Sequence, residues 1–213
     1  MIKDIYIIGS SGFAKEVAFL IESINKIKEE WNILGYIGLP DSVGKYNGTY
    51  KVIATENDLA HKNENIFLAI GTGDPHLNSK IINTLKNNKN FVFPNIIHPN
   101  VNADWDNIQI GEGNVICSSN QFTTDINIGS FNIFNLSCTI GHDTVIGNYN
   151  VINPSSNISG GVRIQNKNLF GTGCQILQDL VVSDSNIIGA GSVVNKNIKE
   201  QGVYVGIPAR KLK

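Results

Sequence analysis

Large apolar residues recur at every sixth position in the second half of the chain. The series runs without a break through Ile110, Ile116, Phe122, Ile128, Phe134, Ile140, Ile146, Ile152, Ile158, Ile164, Phe170, Ile176, Val182, Ile188 and Val194. Glycine is the next residue in six of these fifteen repeats. Neither an α-helix nor an antiparallel strand has a six-residue period, whereas repetition at this spacing is typical of a parallel β-helix. We therefore predict an all-β domain of stacked short strands over residues 96–213.

A different pattern precedes this repeat. Short apolar runs bounded by glycine or polar residues predict buried strands, and apolar residues at helical spacing predict helices. The predicted strands cover residues 5–8, 34–37, 66–70 and 91–93, and the predicted helices cover residues 13–28 and about 74–85. Because strands alternate with helices, we expect a small parallel sheet with right-handed crossovers. Residues 1–95 are therefore predicted to form a Rossmann-like α/β domain.

Two small-residue turns follow strands of this predicted sheet, at Gly9–Phe13 and Gly71–Gly73. Ligands of parallel sheets bind outside the carboxyl ends of the strands, where N–H groups at helix starts attract anions. The turns therefore predict a site for a phosphate-bearing ligand, although turns between strands and helices also need glycine for geometry alone. A dinucleotide is disfavoured, because the first turn is Gly-x-x-Gly and no acidic residue follows the second strand, where Ile37-Gly38 stands.

Charge and composition exclude several partners. The chain has 17 basic and 18 acidic residues, and its net charge of −1 argues against binding to nucleic acid or to an anionic membrane. No apolar run approaches the roughly 20 residues of a membrane span, and the first residues do not have the pattern of a signal peptide. The three cysteines form no metal-binding motif. We therefore expect reduced thiols, a cytoplasmic location and no bound metal.

The six-residue repeat resembles the left-handed β-helix of the hexapeptide-repeat acyltransferases. The resemblance implies that each hexad forms one side of a triangular coil, so that fifteen hexads would make five coils, a prism roughly 24 Å tall. Large residues would point inward, and Asn and Gly would occupy corners that need a positive φ. The segment Gly202–Arg210 resembles the cap that closes such helices near the coenzyme A groove.

His142 is the one histidine inside the repeat, in the stretch Ile140–Gly147. It occupies the third place of its hexad, away from the inward position, so we expect an exposed imidazole that can accept a proton at neutral pH. An ordinary surface histidine is the alternative. A carbonic-anhydrase-like site would need three converging histidines, and His142 alone lies inside the repeat, so we do not expect such a site. Asp143 can orient the imidazole only at a bend or across a subunit boundary, because neighbouring residues of a strand point to opposite faces.

Together, the Gly-x-x-Gly α/β domain and the β-helix resemble the bacillosamine and perosamine N-acetyltransferases, which are related to the sialic acid O-acetyltransferases. The resemblance spans essentially the whole chain and implies a homotrimer that transfers an acetyl group from acetyl-CoA to a nucleotide-linked amino sugar, without a metal. It implies His142 as general base with Asp143 beside it. The implied substrate-binding residues are Ser11, Gly12, Phe13, Gly71 and Thr72, and the implied coenzyme-binding residues are Gly160, Thr172, Ala190 and Arg210.

The sequence departs from that family at three places. The second strand ends in Ile37-Gly38-Leu39, where the family usually has one or two Asp residues. Phe13 stands where a polar residue is common, and Val151 stands where a second histidine often follows the base. Two alternatives stay open: O-acetylation of a sugar hydroxyl, and a non-catalytic binding protein built on the same prism.

Overall fold

The described part of the N-terminal domain contains six strands, three α-helices and a short 3-10 helix, Pro40–Ser42. The computed structural model describes residues 2–60, 62 and 64–212. The elements are β1 (Lys3–Ile8), α1 (Gly12–Ile27), β2 (Trp31–Ile37), β3 (Tyr46–Asn47), β4 (Tyr50–Ala54), α2 (Glu56–Ala60), β5 (Ile66–Ile70), α3 (Pro75–Leu85) and β6 (Phe91–Val92). The four predicted strands and both predicted helices are present. The hairpin β3–β4 and the short helix α2 were not predicted, because residues 38–65 have no sustained apolar period.

These strands form one sheet in the order β3-β4-β2-β1-β5-β6. The pairs β2–β4, β1–β2, β1–β5 and β5–β6 are parallel, which confirms the predicted topology, and the short edge strand β3 is antiparallel to β4. Consequently the carboxyl ends of β1, β2, β4 and β5 share one rim of the sheet. Apolar residues of β1 and of the inner stripe of α1, such as Ile7 and Ile21, are fully buried beneath it.

The rest of the chain forms the predicted parallel β-helix. Its strands are β7 (Ile96–Ile97), β8 (Asn102–Ala103), β9 (Ile108–Ile110), β10 (Val115–Ile116), β11 (Gln121–Phe122), β12 (Ile126–Ile128), β13 (Ile133–Phe134), β14 (Thr139–Ile140), β15 (Val145–Ile146), β16 (Val151–Ile152), β17 (Asn157–Ile158), β18 (Arg163–Ile164), β19 (Leu169–Phe170), β20 (Gln175–Ile176), β21 (Val181–Val182), β22 (Ile187–Ile188), β23 (Val193–Val194), β24 (Val203–Val205) and β25 (Arg210–Lys211). Every sixth-position residue from Ile110 to Val194 ends a strand.

Successive strands are assigned in turn to three sheets, which are the faces of a triangular prism. We call the face that begins with β7 the first, the face that begins with β8 the second, and the face that begins with β9 the third. Within a face, residues 18 apart are paired, as in Ile116 with Phe134. The prism is taller than the five predicted coils, because coiling begins at Ile96 and the second face stacks six strands. A 3-10 turn, Trp105–Asn107, shifts the spacing before Ile110, so β7 and β8 do not follow the six-residue pattern.

The corners need a left-handed backbone at the fourth place of the hexad, three residues after the apolar residue. Glycine fills this position at Gly113, Gly161, Gly173 and Gly191, and the other ten are Ser119, Asp125, Phe131, Ser137, Asp143, Tyr149, Ser155, Lys167, Asp179 and Ser185. The prediction of Asn at these positions is wrong. Asparagine is found instead one place later, with its side chain turned into the prism.

Buried asparagines form a ladder along the corner between the third and first faces. The amide Nδ2 of Asn150 donates to Oδ1 of Asn132 at 3.0 Å and to the carbonyl of Gln165 at 2.9 Å. Its Oδ1 accepts from the backbone N–H of Asn168 at 2.9 Å. The same bonding recurs at 18-residue spacing from Asn114 to Asn168. An amide suits this place because it can both donate and accept where no water reaches.

The N-terminal domain covers the first face. The outward residues of this face are apolar, and Val115, Ile133 and Val151 are buried in the core of the α/β domain. At the adjoining corner, the Phe93 and Phe131 rings meet edge to face at 5.3 Å. Among the described residues, the core of the α/β domain contains no residue from the strands of the second or third face. The prism edge between those two faces is therefore the edge farthest from the N-terminal domain.

Candidate functional site

His142 stands on that far edge, in the turn between β14 on the second face and β15 on the third. About two thirds of its side chain is exposed, as expected for a residue outside the inward position. Its Nδ1 lies 2.7 Å from Oδ2 of Asp143. The pair forms within one chain because Asp143 adopts a φ of 59°, which bends the backbone and brings neighbouring side chains to the same side. The bend that the sequence analysis required is therefore present.

Gly160 lies one coil further on, directly against the imidazole. A Cβ atom at this position would come within 2.6 Å of Nε2 and 2.7 Å of Cε1 of His142. The missing side chain thus provides the space that the ring occupies. With Nδ1 directed to Asp143, Nε2 is the ring nitrogen that remains available to a reacting group. This geometry suits general base catalysis, in which the carboxylate fixes the tautomer and orientation of the imidazole.

The other predicted coenzyme residues lie elsewhere on the prism. Thr172 and Ala190 stack one above the other on the corner between the first and second faces, so the second face separates them from Gly160. Arg210 lies on β25 at the C-terminal end, beside a cavity of about 240 Å³ that Lys196 and Tyr204 also line. Lys213, the last basic residue of the sequence, lies outside the described residues. The structure therefore does not bring these four residues into a single pocket of one chain.

The three thiols, Cys117, Cys138 and Cys174, are free and buried. Burial raises the pKa of the Cys117 thiol and that of the Cys138 thiol to about 12, and it also raises the pKa of Cys174. Since the thiolate is the nucleophilic form, none of the three is suited to attack a thioester at neutral pH.

A second candidate site is a cavity of about 490 Å³ at the rim of the α/β sheet. It lies outside the carboxyl ends of β1, β2, β4 and β5, where the sequence predicted a ligand. Of the predicted substrate residues, Ser11 and Thr72 line it. Gly12, Phe13 and Gly71 do not. Phe13 packs partly buried against the core of the domain, and Gly71 permits close packing, since a Cβ there would come within 2.6 Å of Ile7.

The two predicted turns differ in what they offer an anion. Helix α1 begins after Ser11 without a side-chain cap and has no acidic residue in its first turn. Its amides and its dipole are therefore open to a phosphate group. Helix α3 is capped by Asp74, whose carboxylate accepts from the backbone N–H of Leu77 at 2.8 Å. That carboxylate occupies the anion position, so we assign the phosphate preference to the first turn alone.

Several cavity residues were missed by the sequence analysis, notably Leu39, Glu56 and Leu77. Glu56 follows β4, and the missed hairpin that contains β4 explains why Glu56 was not placed at the rim. Burial raises the pKa of the Glu56 carboxyl, and the nearby Lys80 ammonium partly offsets this effect. The signal available in the sequence was the run Tyr50–Ala54, which ends in Thr55-Glu56 as a strand leading into a helix would.

Within the part of the chain that the structure describes, no three His, Cys, Asp or Glu side chains come together as a metal site would require. No described helix has the length and apolar character that a membrane crossing needs.

Residues 4–85 match the family model described as the PglD N-terminal domain. No curated protein matches the sequence. The N-terminal α/β prediction is therefore confirmed by an independent comparison as well as by the sheet.

Solved structures match the whole two-domain chain. The acetyltransferase domain of PglB from Neisseria gonorrhoeae FA1090 has a TM-score of 0.88 at 23% identity, covering 99% of this chain and all of that chain. PerB from Caulobacter crescentus, in complex with CoA and GDP-perosamine, has a TM-score of 0.88 at 24% identity, covering 100% and 99%. WeeI from Acinetobacter baumannii AYE has a TM-score of 0.83 at 26% identity, covering 99% and 100%. The chain shares the fold of these proteins, and the resemblance drawn from its motifs is confirmed at that level.

Proposed function

We propose that this chain, whose N-terminal part matches the PglD N-terminal domain, is an N-acetyltransferase that uses acetyl-CoA and a nucleotide-linked amino sugar. The observation that carries the proposal is the exposed His142–Asp143 pair on the flank of the prism, in a chain whose α/β domain has a cavity beside the uncapped N-terminus of α1. It is supported by the shared fold of PerB, which was crystallised with CoA and GDP-perosamine. The same fold in the acetyltransferase domain of PglB has been determined with acetyl-CoA.

His142 acts as the general base in this proposal. The sugar amine attacks the thioester carbonyl, a C–N bond forms, and Nε2 accepts the proton that the amine loses. The C–S bond then breaks, and the proton held by the imidazole neutralises the departing coenzyme thiolate. Asp143 accepts a hydrogen bond from Nδ1–H and stabilises the imidazolium that forms. Backbone N–H groups would stabilise the negative charge on the carbonyl oxygen.

The positions of the two sites support catalysis between subunits. The rim cavity belongs to the domain on the first face, and His142 stands on the opposite edge of the prism. A sugar held in the cavity of one chain therefore does not lie beside the imidazole of that chain. In a homotrimer each cavity would serve the imidazole of a neighbour, giving three equivalent composite sites. We place acetyl-CoA in the cleft between neighbours, near Gly160, Thr172, Ala190 and Arg210.

An acetylation assay tests the proposed reaction. Release of the coenzyme thiol is followed with acetyl-CoA and UDP-, dTDP- or GDP-linked amino sugars. We expect turnover with one of them, and a loss on the order of a thousandfold in His142→Ala, the range found for a missing general base. Wild-type turnover in His142→Ala would remove this residue from the mechanism. Turnover with hydroxy sugars but with no amino sugar would instead establish an O-acetyltransferase.

Mixing two inactive variants tests the composite site. Gly73 lines the rim cavity, and a Cβ atom added there has no neighbouring atom within 4 Å. We therefore expect Gly73→Phe to fill part of the cavity without disturbing the fold. Trimers that contain both Gly73→Phe and His142→Ala chains should regain activity, because some sites then combine an open cavity with an intact imidazole. No recovery in verified mixed trimers would place the whole site within one chain.

A further inference from the structure

Two carboxylates line this largely apolar cavity, those of Asp74 and Glu56. The Asp74 carboxylate already accepts from the Leu77 N–H, so Glu56 is the one left for an occupant. Leu39, Leu77 and Ile81 line the same cavity as Glu56. The Glu56 side chain is half-buried, and no described residue donates a hydrogen bond to it. The Lys80 ammonium is near enough to lower the pKa of this carboxyl, but within the described residues it forms no salt bridge with it. A desolvated carboxylate is costly unless hydrogen-bond donors or a cation satisfy its oxygens. The unmet acceptors indicate that the occupant of the cavity carries N–H or O–H donors at this end.

The order of the strands indicates which part of a nucleotide reaches Glu56. The open N-terminus of α1 follows β1 and takes the phosphates. Strand β2 is the next in the sheet and β4 the one after it, and each step is about 4.8 Å. At the end of β2, Gly38 has no side chain, and a Cβ there would lie 2.8 Å from the Ser10 and Ser42 hydroxyls. The two hydroxyls already fill the space of a side chain here, so a nucleotide whose phosphates bind at α1 passes its ribose over these hydroxyls, and its base then reaches the end of β4.

We infer that Glu56 selects guanine, and that the amino sugar that accepts the acetyl group is linked to guanosine diphosphate. The inference rests on the proposed function for the sugar, but the selection of the base can be measured without it. Guanine has two adjacent N–H donors, at N1 and N2, and these match the two oxygens of a carboxylate in a bidentate pair. The apolar side chains of Leu77 and Ile81 provide surfaces for the faces of the ring.

Other bases fit a carboxylate poorly. Uracil and thymine have one ring N–H between two carbonyl oxygens, so that the second carboxylate oxygen would face another acceptor. Adenine and cytosine place a ring nitrogen acceptor beside the amino group, with the same result. A site that is built to pair with two N–H groups rejects analogues that lack one, because a buried acceptor is then left unpaired.

The substitution Glu56→Gln gives a specific test. Glutamine has the same shape but presents one acceptor and one donor, a pattern that suits the N–H and carbonyl of uracil. We expect wild-type protein to bind GDP at least a hundredfold more tightly than UDP, dTDP or ADP in titration calorimetry without acetyl-CoA. In Glu56→Gln, GDP affinity should fall at least thirtyfold and UDP affinity should rise. Glu29→Gln removes the same charge from an exposed residue away from the cavity and should change neither value.

The outcomes separate this inference from the proposed function. Equal affinity of the wild type for all four nucleotides, no nucleotide binding at all, or an equal loss for every nucleotide in Glu56→Gln would overturn the role of Glu56. The last result would show contact with the shared ribose or phosphates. Base selectivity that Glu56→Gln reverses, in a protein that acetylates no amino sugar, would uphold the inference and refute the N-acetyltransferase. Acetylation of amino sugars at the same rate whatever the base of the nucleotide would uphold the N-acetyltransferase and refute the role of Glu56.

Discussion

Replacing Gly160 with alanine should impair catalysis with little effect on the fold. The added Cβ would lie 2.6 Å from Nε2 of His142, whereas ordinary van der Waals contact begins near 3.4 Å. The ring, as the exposed end of a side chain, must therefore move by about 0.8 Å. That displacement changes the position of Nε2 and weakens the 2.7 Å contact between Nδ1 and Asp143.

The expected loss follows from the size of this displacement. Misplacing a reacting group by about 1 Å can cost on the order of a hundredfold in rate. We therefore expect kcat for Gly160→Ala to fall between tenfold and a hundredfold at saturating acetyl-CoA, as measured by thiol release, and the variant to retain more activity than His142→Ala. The melting temperature should change by no more than about 2 °C, because the clash is relieved by an exposed side chain.

Whether Gly160→Ala lowers kcat or raises the KM for acetyl-CoA shows which role Gly160 has. The resemblance to known acetyltransferases implies that Gly160 contacts the coenzyme, and an added methyl would then raise the KM for acetyl-CoA while leaving kcat nearly unchanged. Gln178→Ala, one coil above Gly160 on the same corner and without contact to the imidazole, provides a control that should keep wild-type kcat. An unchanged kcat in Gly160→Ala would show that the imidazole does not act from its position against Gly160.

Three further predictions concern buried groups of the prism. Asn150→Ala removes a buried amide and leaves the Asn168 N–H and the Gln165 carbonyl without this partner. At about 1–3 kcal/mol for each orphaned group, we expect the free energy of unfolding measured in urea to fall by roughly 3–5 kcal/mol. The same substitution at exposed Asn148 should cost less than about 1 kcal/mol, and equal losses at the two positions would show that the ladder is not the source. The buried thiols should resist alkylation at pH 8 in the folded protein and react once it is unfolded, and rapid labelling of the native chain would contradict their burial. Since burial raises the pKa of the Cys117 and Cys138 thiols from 9.0 to about 12, the unfolded chain ionises first and the folded state should lose stability as pH rises from 9 towards 12.

The repeat also indicates which face of the prism is covered, but only when residues 18 apart are compared with one another. The residue before each inward position points outward, and at 18-residue spacing these outward residues separate by face. On the first face they are Val115, Ile133, Val151, Leu169 and Ile187, all apolar, whereas on the second face the series Gln121, Thr139, Asn157 and Gln175 is polar. An apolar column predicts a covered face, and this is the face on which the N-terminal domain packs.

Local rules explain which elements were predicted and which were missed. Buried strands such as β1 and β5 and the striped helix α1 are recognised from a few consecutive residues. The hairpin β3–β4 is held by pairing with β2 more than by its own pattern, so it had no clear signal. The sequence predicted that the prism corners need a positive φ. It did not predict which residues stand there, since the prism stabilises Ser, Asp and even Phe131 in that left-handed conformation.

The sequence alone determined the coiled prism, the α/β domain before it and the exposure of His142, because each depends on a repeat or a pattern that local geometry must satisfy. Only the tertiary structure decided that Asp143 turns back onto the imidazole, that Gly160 makes room for the ring, and that Glu56 enters the rim cavity. It also placed His142 and that cavity on opposite sides of one chain. These relations join residues distant in sequence or depend on a single backbone angle, and no periodicity of apolar residues encodes them.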